Sequence, residues 1–186
     1  MARLDMIDPD TTRGKIRATF ESMPLKLNIF RMLAHARTNF IPAMRFADSI
    51  LHHQKLSPVN RELLILQVAQ WEKATYEWHQ HVPIALGVGV KQRQIDHVER
   101  GNYDSYVFNR AERALLAFGR VLIENVQVSE PTFAAMRRHF SQQEVVEAIL
   151  TIGFYMMMAR LSEATETDLD LVAGMGVCET GKRWSA

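Results

Sequence analysis

The sequence has a single cysteine, Cys178, among 186 residues. That count excludes an internal disulfide framework and any redox centre needing two thiols from this chain, and it fits a reducing compartment. Neither sign of charge is in excess: 22 Lys and Arg stand against 21 Asp and Glu, a net charge of +1. The balance leaves no concentrated basic face for nucleic acid and no polybasic run for an anionic membrane. No apolar signal run follows Met1-Ala2-Arg3-Leu4-Asp5-Met6. The longest apolar stretch, around residues 148–159, is too short to span a bilayer and reads as a core helix. There is no run of alternating strand residues, no fixed-period repeat and no low-complexity segment. The expectation is a soluble cytoplasmic protein without nucleic-acid or membrane partners.

What is present is helical periodicity, in a chain that is 47% apolar and 23% charged. A first helix is expected over Thr11–Met23, ended by Pro24, then Asn28–Ala36 and about Asn39–His53. Ser57-Pro58 is a strong start signal, a capping hydroxyl followed by a ring preset for the first helical turn. The helix it opens carries Leu63, Leu64, Ile65, Leu66, Val68, Ala69 and Trp71 around most of its circumference, so it is expected to be central and buried. Another helix is expected over Thr75–Gly87, bent or opened by Pro83, and one more ending at Gly101. Asn102–Phe108 reads as a loop with two exposed or interface tyrosines. Asn109 with Glu112, and Ser141 with Glu144, fit reciprocal caps for helices reaching Asn125 and Glu163. The ten methionines suit an adaptable core or subunit contact. The whole predicts a single all-α domain, 1–186, with a helical extension at 1–37, a core at 38–167 and a tail or inter-subunit arm at 168–186.

The chemistry concentrates in Ala74-Thr75-Tyr76-Glu77-Trp78-His79-Gln80-His81, with Glu62 upstream. A helix turns about 100° per residue, so Glu77 and His81 lie about 40° apart on one face. Ile84, Ala85 and Val88 continue that face. An acid and a base set in an apolar stripe suit proton transfer, although the same spacing also serves a structural hydrogen bond between helices. Glu62 faces Ile65, Leu66 and Ala69, where burial would raise its pKa unless a cation or donor compensates. Tyr76, Trp78 and Arg160 are candidate substrate contacts, for which the simpler roles are core packing for the two rings and, for Arg160, a salt bridge with Glu163 or another subunit. His79 points away from His81, so the pair cannot hold one metal, and no metal site is expected. His35, His52, His53, His97 and His139 are expected on surfaces. Gly87-Val88-Gly89 follows no strand and is no phosphate loop.

The pattern Leu56-Ser57-Pro58, Arg61-Glu62-Leu63, Tyr76-Glu77-Trp78-His79-Gln80-His81 and Ala85 resembles the carboxymuconolactone decarboxylase family, which is related to the alkyl hydroperoxidase D proteins. The resemblance is most specific from Leu56 to about Gly101. It extends more loosely through Ala111-Glu112-Arg113 and Gly153-Phe154-Tyr155, as in a long branch of that superfamily. It implies an alkyl hydroperoxidase D-like helical fold, a trimer or hexamer with pockets near subunit interfaces, and no cofactor. In the peroxidase branch two cysteines stand four and seven residues before the motif histidine. Here His81 matches that histidine and Glu62 the upstream glutamate, while Glu77 and Ala74 occupy the thiol positions. Thiol peroxidase chemistry is therefore disfavoured. The resemblance points instead to a lyase acting on a small carboxylated or lactone compound, with His81 as proton donor oriented by Glu77, and Glu62 as the second acid–base group. The alternatives are a redox enzyme using an external thiol and a non-catalytic, oligomeric ligand-binding protein.

Overall fold

The computed structural model describes residues 1–171 and 173. Among these there are nine α-helices and no strand: α1 (Gly14–Ser22), α2 (Asn28–Leu33), α3 (Arg37–His52), α4 (Pro58–Glu72), α5 (Thr75–Val88), α6 (Gln92–Glu99), α7 (Arg110–Asn125), α8 (Glu130–Arg137) and α9 (Gln142–Thr165). Helix α8 is not among the expected helices, and α9 runs to Thr165. Of the expected tail, Gly174, Gly176, Cys178 and Gly181 lie outside the described residues.

Local chemistry sets the helix ends. Ser57 Oγ accepts the Asn60 N–H over 3.3 Å at the start of α4. Asn109 and Glu112 exchange bonds of 2.9 and 2.8 Å at the start of α7. Ser141 and Glu144 do the same for α9, at 3.3 and 2.8 Å. Helix α4 stops at Lys73, which turns left-handed at φ 55°, so α5 doubles straight back against it. Pro83 removes an amide donor but leaves α5 continuous to Val88, and Gly89, at φ 107°, closes it. That conformation strains any residue with a Cβ.

Helix α4 lies at the centre, packed against α5, α6, α7 and α9. Every residue from Arg61 to Ala69 is buried, as its all-round apolar pattern requires. Trp71, expected in that set, is exposed beyond the buried segment. Of the two tyrosines expected outside, Tyr106 is exposed, whereas Tyr103 is buried and donates to Gln70 Oε1 over 2.6 Å. A separate apolar cluster joins α1 to α3, where the Phe20 and Phe40 rings lie 5.1 Å apart. Helix α9, which contains the apolar stretch expected to be too short to cross a bilayer, has 24 residues. By length and composition it could cross one, and half of its most apolar 18-residue window is buried within the molecule.

Candidate active site

Glu62 is wholly buried at the start of the central helix. An isolated carboxylate there would be expelled from its ionised form, so its partners decide its state. Arg61 Nε donates to Glu62 Oε1 over 2.9 Å, and His81 Nδ1 stands 2.8 Å from Glu62 Oε2. Arg61 is itself buried, and its Nη1 donates to the Leu51 carbonyl over 2.6 Å. Burial pushes the Glu62 carboxyl up, but the charge and hydrogen bond of His81, then those of Arg61, outweigh it and hold the group below its usual value. A carboxylate so held brings no proton to its bond with His81, so the shared proton belongs to Nδ1. The imidazole is thereby fixed in position, leaving Nε2 as its reactive nitrogen.

Glu77 is driven the opposite way. It is buried on α5 one turn before His81, and burial raises its pKa more than the hydrogen bond from Ser162 and the nearby His81 lower it. Ser162 Oγ, on α9, donates to Glu77 Oε2 over 3.0 Å. The expected pairing of Glu77 with His81 is therefore replaced. A third helix supplies Glu77 with a hydroxyl, and Glu62 takes the imidazole.

His81 and Glu77 both line an apolar cavity between α5, α9 and the N-terminal helices. Water centres can occupy about 70 Å³ of it, against the roughly 10–15 Å³ that one water needs. The space therefore accepts a small organic molecule. The Tyr155 ring stands edge-on to His81 at 4.8 Å and 90°. Ile29, Phe30 and Leu33 of α2 form part of the wall, so the expected N-terminal extension helps to build the site.

The other expected contacts divide. Tyr76 lines the cavity; its hydroxyl donates to Asp170 and accepts the Ile29 N–H over 3.2 Å. Trp78 does not line it and packs on an apolar cluster that α4 forms with α5, α6 and α7. Arg160 is exposed and pairs with Glu72 over 3.0 Å, neither in the cavity nor bound to Glu163. Glu163 instead accepts the Thr75 N–H over 2.8 Å at the start of α5. Of the histidines expected on surfaces, His35, His53 and His139 are exposed and His52 and His97 half-buried. Among the described residues no group of three His, Cys, Asp or Glu side chains is placed to hold a metal ion.

Sequence reasoning missed Arg61 and Gln80 as site residues. The signal for Arg61 was available, because a cation inside a helix apolar on all sides must be buried with a partner. Gln80 shares the cavity face of α5 with Tyr76, Glu77 and His81.

The fold and site together define an all-helical protein whose buried, ionised glutamate holds a histidine against an apolar cavity. Residues 40–120 match the model of the carboxymuconolactone decarboxylase family. Through those residues and its fold, the chain is similar to the carboxymuconolactone decarboxylase and alkyl hydroperoxidase D-like superfamily. A peroxidase-related protein with an alkylhydroperoxidase core from Ralstonia eutropha JMP134 superposes with a TM-score of 0.80 at 20% identity, covering 91% of this chain and 93% of that one. A peroxidase-related protein from Silicibacter sp. TM1040 gives 0.77 at 17%, covering 91% and 92%. The debrominase Bmp8 gives 0.66 at 15%, covering 90% and 88%. At these identities the likeness is one of fold. No curated protein matches the chain.

Proposed function

We propose that this protein is a cofactor-independent lyase of the carboxymuconolactone decarboxylase type, acting by acid–base catalysis on a small carboxylated or lactone-bearing compound. One arrangement carries the reading: two buried carboxyl groups stand near one imidazole, Glu62 bonded to His81 and Arg61 and so favoured in its ionised form, Glu77 bonded to the Ser162 hydroxyl and pushed by burial towards its neutral form. Environments that separate two carboxyl groups in this way assign one as the charged partner and the other as the proton carrier.

In the proposed reaction the bond from carbon to the departing carboxylate breaks. Its electron pair enters the conjugated carbonyl as an enolate, and carbon dioxide leaves. His81 Nε2 delivers a proton to the carbanionic carbon, and Glu62 stabilises the imidazolium before and during transfer. Glu77, whose protonated form burial favours, donates a hydrogen bond from that form to the enolate oxygen. The apolar walls exclude water from the reacting carboxylate and strengthen these contacts. Active protein is proposed to be a cytoplasmic trimer or hexamer.

Purified protein is to be assayed for carbon dioxide release from unsaturated lactone carboxylates. His81→Ala and Glu62→Gln are each expected to lower kcat at least about 100-fold, the usual scale of a positioned acid or base, with the oligomer intact. Full activity in both variants would remove them from the mechanism.

A second reading follows from the fold shared with peroxidase-related proteins and a debrominase. It is a redox enzyme relying on Cys178 and an external thiol. Peroxide consumption that disappears in Cys178→Ser would favour it over the lyase.

A further inference from the structure

Tyr76 and Gln80 lie one turn apart on α5 and are 3% and 4% exposed. Both aim a donor at the same oxygen. Tyr76 Oη donates to Asp170 Oδ2, and Gln80 Nε2 donates to that atom over 3.2 Å. The Asn28 N–H donates to the other oxygen, Oδ1, over 3.0 Å. Burial and the bond to Asp170 push the Tyr76 hydroxyl far above its usual value, so it keeps its proton and remains a donor. Three donors from α2 and α5 thus converge on one carboxylate, and none of them is charged.

The receptor belongs to the core, whereas the acid it holds comes from the segment after α9. Leu169 and Leu171, on either side of Asp170, are both exposed. Tyr76 and Gln80 line the apolar cavity beside His81 and Glu77, and Ile29, which donates to Tyr76, lines it too. Asn28 and Asp170 themselves line a separate, more open hollow with Leu25 and Arg31, so the three-donor receptor stands between that hollow and the space in which a small molecule would meet His81.

We propose that Tyr76 Oη, Gln80 Nε2 and the Asn28 N–H form a carboxylate subsite of this cavity, occupied by the chain's own Asp170 and surrendered to the carboxylate of a small apolar ligand. The ligand class is an unsaturated or aromatic carboxylate whose apolar body fills the cavity between α5 and α9. The inference rests on the reading of the cavity as a site for carboxylated compounds. It adds where a carboxylate that does not react would sit, and makes residues 168–170 a competitor for it. The neutral donor set suits such exchange, because a charge-assisted hydrogen bond is strong only while its partner is an anion.

The test is calorimetric titration of the full chain with benzoate and with benzamide, which share a ring and differ in the anion. Asp170→Ala is expected to bind benzoate at least about tenfold more tightly than benzamide, the factor that one charge-assisted hydrogen bond contributes. It is also expected to bind benzoate more tightly than the unaltered protein, whose Asp170 competes. Adding Tyr76→Phe, which removes one of the three donors, should reduce the preference. If Asp170→Ala does not fold, Asp170→Asn is titrated in the same way. A folded variant that binds neither compound, or both equally, would overturn the subsite. Loss of folding in both variants would overturn it as well, and would make Asp170 a structural tie. Benzoate binding requires no turnover. Failure of the lyase assay with the benzoate preference intact therefore overturns the lyase reading alone, and the converse result overturns the subsite alone.

Discussion

At the residue scale, the site turns on where two protons reside. Glu62 is fully buried, yet both its oxygens are engaged, one by Arg61 and one by His81. Removing one partner from a buried ion pair is far more damaging than the pair is stabilising, so the three side chains work as one unit. Glu77 has no comparable cation, and burial prevails. The sign of its pH effect follows. Because its folded pKa lies above the usual 4.5, the native state holds an extra proton, and stability falls as pH rises from 4.5 through the folded value. Glu77→Gln, neutral at every pH, is expected to remove that decline. Urea unfolding at a series of pH values should show the variant gaining on the parent between pH 4.5 and neutrality. A constant difference across that range would mean that burial does not raise the Glu77 pKa in the folded protein.

At the element scale, α4 is held by close approach as well as by apolar area. Gly119 of α7 packs so tightly on α4 that a Cβ there would stand 2.3 Å from Gln67 Oε1 and 2.9 Å from Leu64 Cδ2. Gln67 is fully buried and donates to the Leu116 carbonyl over 2.8 Å. Gly119→Ala gains about 1 kcal/mol of helix propensity but must displace that amide or overpack the contact, at about 1–3 kcal/mol. An approach of 2.3 Å puts the cost in the upper part of that range, so the expected net loss is about 1–2 kcal/mol, read as a fall in Tm of about 2–8 °C. An unchanged or higher Tm would show that the two helices can part without cost.

The same scale explains what the sequence made legible. Caps are local, so Ser57, the Asn109–Glu112 pair and the Ser141–Glu144 pair announce their helices directly. The burial of α4 is legible because its apolar residues surround the helix. Partner choice is not local. The spacing of Glu77 and His81 places them on one face, but it cannot show that Ser162, 85 residues further along the chain, takes the carboxylate. Nor can it show that Glu62 reaches the imidazole from another helix. Arg160 failed for the same reason: its partner, Glu72, ends α4.

At the scale of the whole molecule, α9 buries one side and leaves the other open. Val146, Ile149, Leu150 and Met157 are exposed apolar side chains at three-, four- and seven-residue intervals. Gly153 lies between them, with nothing within 4 Å of where its Cβ would be. Such a stripe is the pattern of a helix packing against another helix. We propose a second copy of the chain as its occupant. Leu150→Arg is expected to shift the protein from oligomer to monomer in light scattering while its helical content is kept. An unchanged mass would move the interface elsewhere. Because α9 carries Tyr155 and Ser162 on its buried side, the proposed assembly would share one helix with the cavity.

The opposed ionisation of Glu62 and Glu77 underlies the catalytic reading, and it can be measured directly by carbon-13 NMR titration of the side-chain carboxyl groups. Glu62 should titrate below 4.5 and Glu77 above it. Both groups titrating together at the usual value, or in the reverse order, would contradict the assignment of Glu62 as the charged partner of His81 and Glu77 as the proton carrier.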